Sequence, residues 1–286
     1  MKEQEIKKTV RERYGKLAKA GASCCAPQAQ SCCGGTDPAD LAKTISKSVG
    51  YTDEDLNAAP EGANLGLGCG NPVALASLKE GEVVVDLGSG AGFDCFLASR
   101  IVGEKGKVIG IDMTAEMLEK ARGNTAKGGY KNVEFRLGEI ENLPVADGYA
   151  DIIISNCVIN LSPDKKKVFE EAYRVLKPGG RLMVSDIVLL EELPKAVQKS
   201  VAAYIGCVAG ASLKQDYLDD IKNAGFDEVK VIGDTGFATD ILEKEPALKA
   251  IVDSENISKE DLSKVGKSVR SIKVSAVKPQ IGRRAG

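Results

Sequence analysis

Histidine and tryptophan are both absent from this chain of 286 residues. Without histidine the protein lacks the commonest general base and the commonest metal ligand, so its chemistry falls to thiols, carboxylates, lysines and tyrosines. Long apolar runs are missing too, and none approaches the roughly 18 residues that a membrane span requires. The opening stretch MKEQEIKKTVRERYGKLAKA scatters charge throughout and has no apolar centre of the kind a secretion signal carries. A surplus of one charge is also lacking: 39 basic residues against 41 acidic ones leave −2, which disfavours nucleic acid and anionic membranes as partners. The expectation is a cytosolic, cytoplasmic protein with neither a membrane nor a nucleic-acid partner.

Apolar residues make up 43% of the chain, enough for a large core, and the length suits one enlarged domain or a domain with an appendage. Eight cysteines are present: Cys24, Cys25, Cys32, Cys33, Cys69, Cys95, Cys157 and Cys207. In a cytosolic chain they are expected to be reduced thiols serving redox chemistry or metal binding. The adjacent pairs do not match the C-x-x-C spacing of zinc sites, and no histidine can complete one, which argues against structural zinc. Cys95 falls in the first turn of a core helix and reads as packing.

Ile6, Val10, Tyr14 and Leu17 recur at helical spacing, and the Gly/Ala/Ser/Pro-rich stretch GASCCAPQAQSCCGGTDPAD follows as a loop carrying the two cysteine pairs. From Val83 onward strands and helices alternate. Strands are predicted at 83–87, 108–111, 133–137, 152–155, 181–188, 228–232 and 269–277. Helices are predicted at 93–102, 115–127, from a polar start to 176, and 214–224. This alternation predicts an α/β fold, a doubly wound and mostly parallel sheet of Rossmann-like type. The last two strands are expected to pair at one edge, with insertions around 189–212 and 234–267. The corresponding division is 1–68 for N-terminal helices and the Cys-rich loop, 69–188 for the core, and 189–286 for an acceptor-binding insertion and completion of the sheet.

VVVDLGSGAGFD places Gly88, Gly90 and Gly92 between the first strand and a helix, where glycine permits a tight turn and the helix start offers free N–H groups to a ligand. The dinucleotide fingerprint wants its third glycine where this chain has Phe93, so a nicotinamide cofactor fits less well. VIGIDMT ends the second strand with Asp112, positioned either to accept from two ribose hydroxyls or to cap the helix that starts at Ala115. Asp86 precedes the glycines and favours the ligand reading.

DLGSGAG, GIDMT and RVLKPGGRLMVSD together resemble motifs of the class I S-adenosylmethionine-dependent methyltransferases. The resemblance spans roughly 83–186. It implies that Asp86, Gly88, Ser89 and Gly90 meet the methionine part of S-adenosylmethionine, that Asp112 and Met113 hold the ribose end, and that Glu139 and Ile140, in GEIENLP, lie against the adenine. GLGCGNP, SNCVINLSPDK and YIGCVAGAS further resemble, in order, the three cysteine motifs of the arsenite methyltransferases, a subgroup of that superfamily. This implies that Cys69, Cys157 and Cys207 hold trivalent arsenic, presented as arsenite or its thiol conjugates. It also implies a thiol reductant such as thioredoxin, glutathione or another small thiol. SCCGG is similar to an N-terminal element of that subgroup, which implies a relay role for Cys32 and Cys33; the competing reading is a disordered tail.

The chemistry is self-consistent. Three thiolates suit soft, trigonal-pyramidal arsenic, and its lone pair is the nucleophile, so no base has to remove a proton. Cys157, after the fourth strand, falls at the carboxyl edge where open α/β sheets bind ligands. Two other readings compete with this one. A quinone-pathway carbon methyltransferase shares the core motifs, but it ordinarily wants a base and leaves the three cysteines unexplained. A thiol-based metalloid sensor on a degenerate methyltransferase fold conflicts with the intact DLGSGAG and GIDMT.

Overall fold

The computed structural model describes residues 3–20, 38–198, 207–236 and 259–280. Helices α1 (Glu3–Ala20), α2 (Pro38–Ser48), α3 (Asp53–Ala58) and α4 (Pro72–Leu75) precede the first strand. The alternation then runs β1 (Val83–Leu87), α5 (Phe93–Val102), β2 (Lys107–Asp112), α6 (Ala115–Gly128), β3 (Val133–Leu137), β4 (Ala150–Asn156), α7 (Lys165–Val175) and β5 (Leu176–Leu189). The chain continues through α8 (Lys195–Gln198), α9 (Lys214–Asn223), β6 (Asp227–Gly236), α10 (Lys259–Ser268) and β7 (Val269–Val277).

One seven-stranded sheet results, in the order β3-β2-β1-β4-β5-β7-β6. The β1–β5 ladders are parallel, and β7 runs antiparallel to both β5 and β6. The expected pairing of the last two strands at one edge is therefore present. Several strands run longer than predicted, β5 and β6 the most: β5 begins at Leu176 and so takes in the KPGG stretch, and β6 runs on to Gly236. The β5 extension follows from Leu176 pairing with Ala150 before the register shifts and ordinary pairing resumes at Arg181.

The central strands are apolar on both faces because helices cover both. Val85, Leu87, Ile109, Ile111 and Ile153 pack with Phe169 and Val175 of α7 and Tyr217 of α9. The alternate residues Val84, Val108, Ile152 and Ile154 pack with Phe96 of α5 and Leu118 of α6. This period-2 division of one strand between two cores is the pleat acting on an unbroken apolar run.

Between β1 and β4 the strand order reverses direction, so two crossovers leave the sheet on opposite sides and open a crevice at the carboxyl ends. Leu87 pairs with Ser155 there, which brings the glycine loop after β1 beside the residues after β4. Among the described residues no helix is long and apolar enough to cross a membrane.

Candidate active site

A cavity of about 130 Å³ occupies this crevice, and its walls come from α1, the 63–68 approach to Cys69, the glycine loop, the tip of β2 and the end of β4. Asp86, Gly88, Ser89, Gly90, Asp112, Met113 and Ile140 all line it. Gly88 and Gly90 have φ of +68° and +53°, the left-handed region that glycine enters at least cost. A Cβ on Gly88 would run into Val158, whereas one on Gly90 would face open space. Asp112 draws the loop together: Gly90 N–H donates to one of its carboxylate oxygens at 3.0 Å and Thr114 N–H to the other at 2.8 Å. The cap of α6 is Thr114, so Asp112 is not the N-cap residue.

Glu139 is placed differently. Its carboxylate turns to α1, accepting from Lys7 Nζ at 2.8 Å and from Arg11 at 3.2 Å, while Gly138, Ile140 and Glu141 face the cavity. Burial works against the charge on Lys7, but Glu139, Glu141 and Glu3 outweigh it and hold the ammonium above the ordinary lysine value. The Glu139 side chain expected against the adenine is thus paired with a distant helix and does not line the cavity, whereas Ile140 does.

Two further carboxyl groups shape the cavity. Asp94, in the first turn of α5, accepts from Tyr51 OH at 2.6 Å and from Asn156 Nδ2 at 3.0 Å, and burial lifts it to about 6 against these hydrogen bonds. Asp86 is pushed well above the usual carboxylate range by burial and by the neighbouring charge of Asp94. Cys95 is fully buried, as packing requires, and its thiol also donates to Asp86 at 3.2 Å. No lysine or arginine among the described residues pairs with Asp86 or Asp94, and Ser89 Oγ is buried without a partner. Buried carboxyl groups without a cation, raised for want of one, fit a ligand that brings positive charge, as the ammonium and sulfonium of S-adenosylmethionine do.

Next to this cavity the chain brings the three predicted cysteines into one apolar cluster with Leu161, Ile187, Leu189, Leu193 and Val269. They arrive from three directions. Cys69 comes from the glycine-rich approach, with its N–H donating to Asn156 Oδ1 at 3.0 Å and its carbonyl accepting from Ser271 Oγ of β7 at 2.9 Å. Cys157 follows β4, and Cys207 follows the segment after α8. Both adopt left-handed backbone, with φ of +58° and +63°, a conformation that non-glycine residues take up rarely and mainly where the surroundings enforce it.

The Sγ atoms of Cys69 and Cys157 and a carboxylate oxygen of Asp186 lie within 4.8 Å of one another. Cys207 is outside that tight group; its thiol donates to the carbonyl oxygen of Cys157 at 3.1 Å. The Cys157 thiol is held well above its usual value by the adjacent Cys207 and Cys69 thiols and by burial. Asp186, raised to about 7 by burial, accepts from Asn160, from its own neighbour Ile187 N–H and from Tyr217 OH.

Tyr51, Asp94, Asn156 and Asp186 were not singled out in the sequence. Asp94 and Asn156 adjoin predicted motifs, two residues after the glycines and one before Cys157, and adjacency is the signal that could have found them. Tyr51 has no local signature. Cys24, Cys25, Cys32 and Cys33 lie outside the described residues, and so does the relay expected of Cys32 and Cys33.

A family model described as a methyltransferase domain matches residues 78–225. An arsenite methyltransferase of Halobacterium salinarum is 49% identical over 230 residues, which are 80% of this chain and 59% of that protein. One from Aquipseudomonas alcaligenes is 42% identical over 174 residues, 58% of this chain and 50% of that protein. The chain thus spans between half and six-tenths of the length of these curated relatives. The crystal structure of an arsenic(III) S-adenosylmethionine methyltransferase from Chlamydomonas reinhardtii superposes with a TM-score of 0.61 at 31% identity, covering 88% of this chain and 76% of that one. A seven-stranded sheet with one reversed strand, a glycine loop at its switch point, a cavity lined by uncompensated carboxylates and these likenesses agree: the chain belongs to the arsenite methyltransferases within the S-adenosylmethionine-dependent methyltransferase family.

Proposed function

We propose that this protein transfers a methyl group from S-adenosylmethionine to trivalent arsenic held by Cys69, Cys157 and Cys207. The observation that carries the reading is the meeting of these three thiols, 88 and 50 positions apart in sequence by their numbers, in one buried cluster beside the carboxylate-lined cavity. S-adenosylmethionine supplies an electrophilic methyl on a sulfonium. The chain supplies placement. Asp86 and Asp94 offer negative charge to the cationic part of the cofactor, Asp112 is placed for the ribose, and Met113 and Ile140 give apolar walls.

The arsenic lone pair forms the new As–C bond as the S–C bond breaks, leaving S-adenosylhomocysteine and pentavalent arsenic. Two electrons from a thiol reductant, whether thioredoxin, glutathione or another small thiol, return the arsenic to the trivalent state. No proton leaves the nucleophile, so a site without histidine suffices, and proximity supplies most of the catalysis. Cys207 joins the other two sulfurs by turning its thiol away from the Cys157 carbonyl. The apolar shell from Leu161 and Ile187 keeps water from the transferring methyl.

The test is methylation of arsenite and of monomethylated arsenic by Cys69→Ser, Cys157→Ser and Cys207→Ser, with cofactor binding measured in each. Cys157→Ser and Cys207→Ser are expected to lose both activities while binding cofactor normally. Cys69→Ser should retain part of its activity on the monomethylated acceptor, which brings one carbon and needs only two thiolates. Full activity on arsenite in the Cys157 or Cys207 variant would overturn the three-thiolate reading.

A further inference from the structure

We infer that Asn156 is a positioning residue that makes cofactor and arsenic bind cooperatively. This rests on the proposed function and extends it. The amide stands between the two halves of the site and touches both. Its Oδ1 accepts from Cys69 N–H at 3.0 Å, and its Nδ2 donates to Gly70 O at 2.8 Å, so it grips the backbone on both sides of the first thiol. The same Nδ2 reaches Tyr51 OH at 2.8 Å and Asp94 Oδ2 at 3.0 Å, which belong to the cofactor cavity.

Three acceptors therefore compete for two N–H groups. Asp94 is the strongest competitor, since a charged acceptor draws a hydrogen bond more strongly than a neutral carbonyl. A cationic group brought into the cavity occupies Asp94 and returns the amide hydrogens to Gly70 O and Tyr51 OH. That tightens the hold on the Cys69 segment and narrows the positions its thiol can take. Close packing transmits the effect: a Cβ on Gly68 would stand 2.5 Å from Asn156 Nδ2, so the segment rests directly on the amide. Asn156 also immediately precedes Cys157, whose N–H is fixed to Ser185 O at 2.8 Å, so a shift of the amide is referred to a backbone that already holds the second thiol.

Thermodynamic linkage makes the effect reciprocal, so the factor by which cofactor raises arsenic affinity equals the factor by which arsenic raises cofactor affinity. The experiment is calorimetric titration of the protein with arsenite, with and without saturating S-adenosylhomocysteine, which binds without methylating. In the wild-type protein S-adenosylhomocysteine should raise arsenite affinity by about 5-fold or more, the lower end of ordinary couplings. In Asn156→Ala the enhancement should fall to within about 2-fold of unity while each ligand still binds alone.

Asp94→Asn provides a second reading that leaves the Cys69 contacts in place: with the charged acceptor removed, the amide hydrogens go to Gly70 O and Tyr51 OH without cofactor, so cofactor-free arsenite affinity should rise towards the cofactor-bound value and the further enhancement should be lost. Retention of the full enhancement in either folded variant, or no enhancement in the wild-type protein, overturns the role of Asn156 and leaves the proposed function standing. A wild-type protein that binds S-adenosylhomocysteine but no arsenite at all overturns both.

Discussion

Gly70 lies so close to Ser185 that a Cβ built on it would overlap the serine side chain. The glycine beside Cys69 is thus a requirement of contact with β5, and the first thiol reaches the cluster only because its neighbour has no side chain. Gly70→Ala is expected to force the segment outward, at about 1–3 kcal/mol of stability, as overpacking usually costs. Arsenite methylation should fall much further than S-adenosylmethionine affinity. Thermal unfolding, calorimetry and the methylation assay measure the three effects separately, and unchanged methylation would show that Cys69 has freedom the structure does not suggest.

Burial raises Asp94 to about 6 and Asp86 well above the usual carboxylate range. The sign follows from linkage: with the folded pKa above the unfolded one, stability is present at low pH and is lost as pH rises through about 6. A cation in the cavity reverses this by favouring the ionised forms. Cofactor binding near pH 6 is therefore expected to release protons, less so in Asp94→Asn. Calorimetry in buffers of different ionisation enthalpy reads the count, and proton uptake would contradict the cationic role assigned to this cavity.

The Cys157 thiol is kept protonated at neutral pH by the Cys207 and Cys69 thiols beside it and by burial. Alkylation by iodoacetamide needs the thiolate, so this residue should react far more slowly near pH 7 than an exposed cysteine of pKa about 8.5. Arsenite should protect it further. Mass spectrometry of the labelled peptide measures the rate, and fast labelling at pH 7 in the folded protein would place Cys157 outside the buried cluster.

Asp112 and Glu139 were expected to share the cofactor, and the structure separates them. Asp112→Ala should weaken S-adenosylmethionine binding by about 1–3 kcal/mol, the usual cost of losing hydrogen bonds to a charged group. Glu139→Gln should change that affinity by less than about 3-fold. Its effect should appear as a small loss of stability that fades at high salt, because partly exposed ion pairs are worth little and are screened. A larger cofactor defect in the Glu139 variant than in the Asp112 variant would return the adenine role to Glu139.

Much of this protein is decided within short stretches of chain. The continuously buried apolar runs of VVVDL and KVIGID, the helical spacing of Phe93–Val102 and the glycines that turn between them are local properties, so the alternation and the doubly wound sheet could be read directly. The three cysteine motifs and Asp112 were legible for the same reason: each is a residue type in a recognisable neighbourhood. Tertiary structure alone decided who meets whom. Lys7 finds Glu139 across 132 positions, Asn156 finds Cys69 across 87, and Ser271 finds Cys69 across 202. The left-handed backbone at Cys157 and Cys207 is likewise imposed from outside, since neither residue prefers it. Periodicity and turn chemistry are written into adjacent residues, whereas a buried carboxylate or amide takes its partner, and hence its charge and its task, from whichever distant segment the packing brings against it.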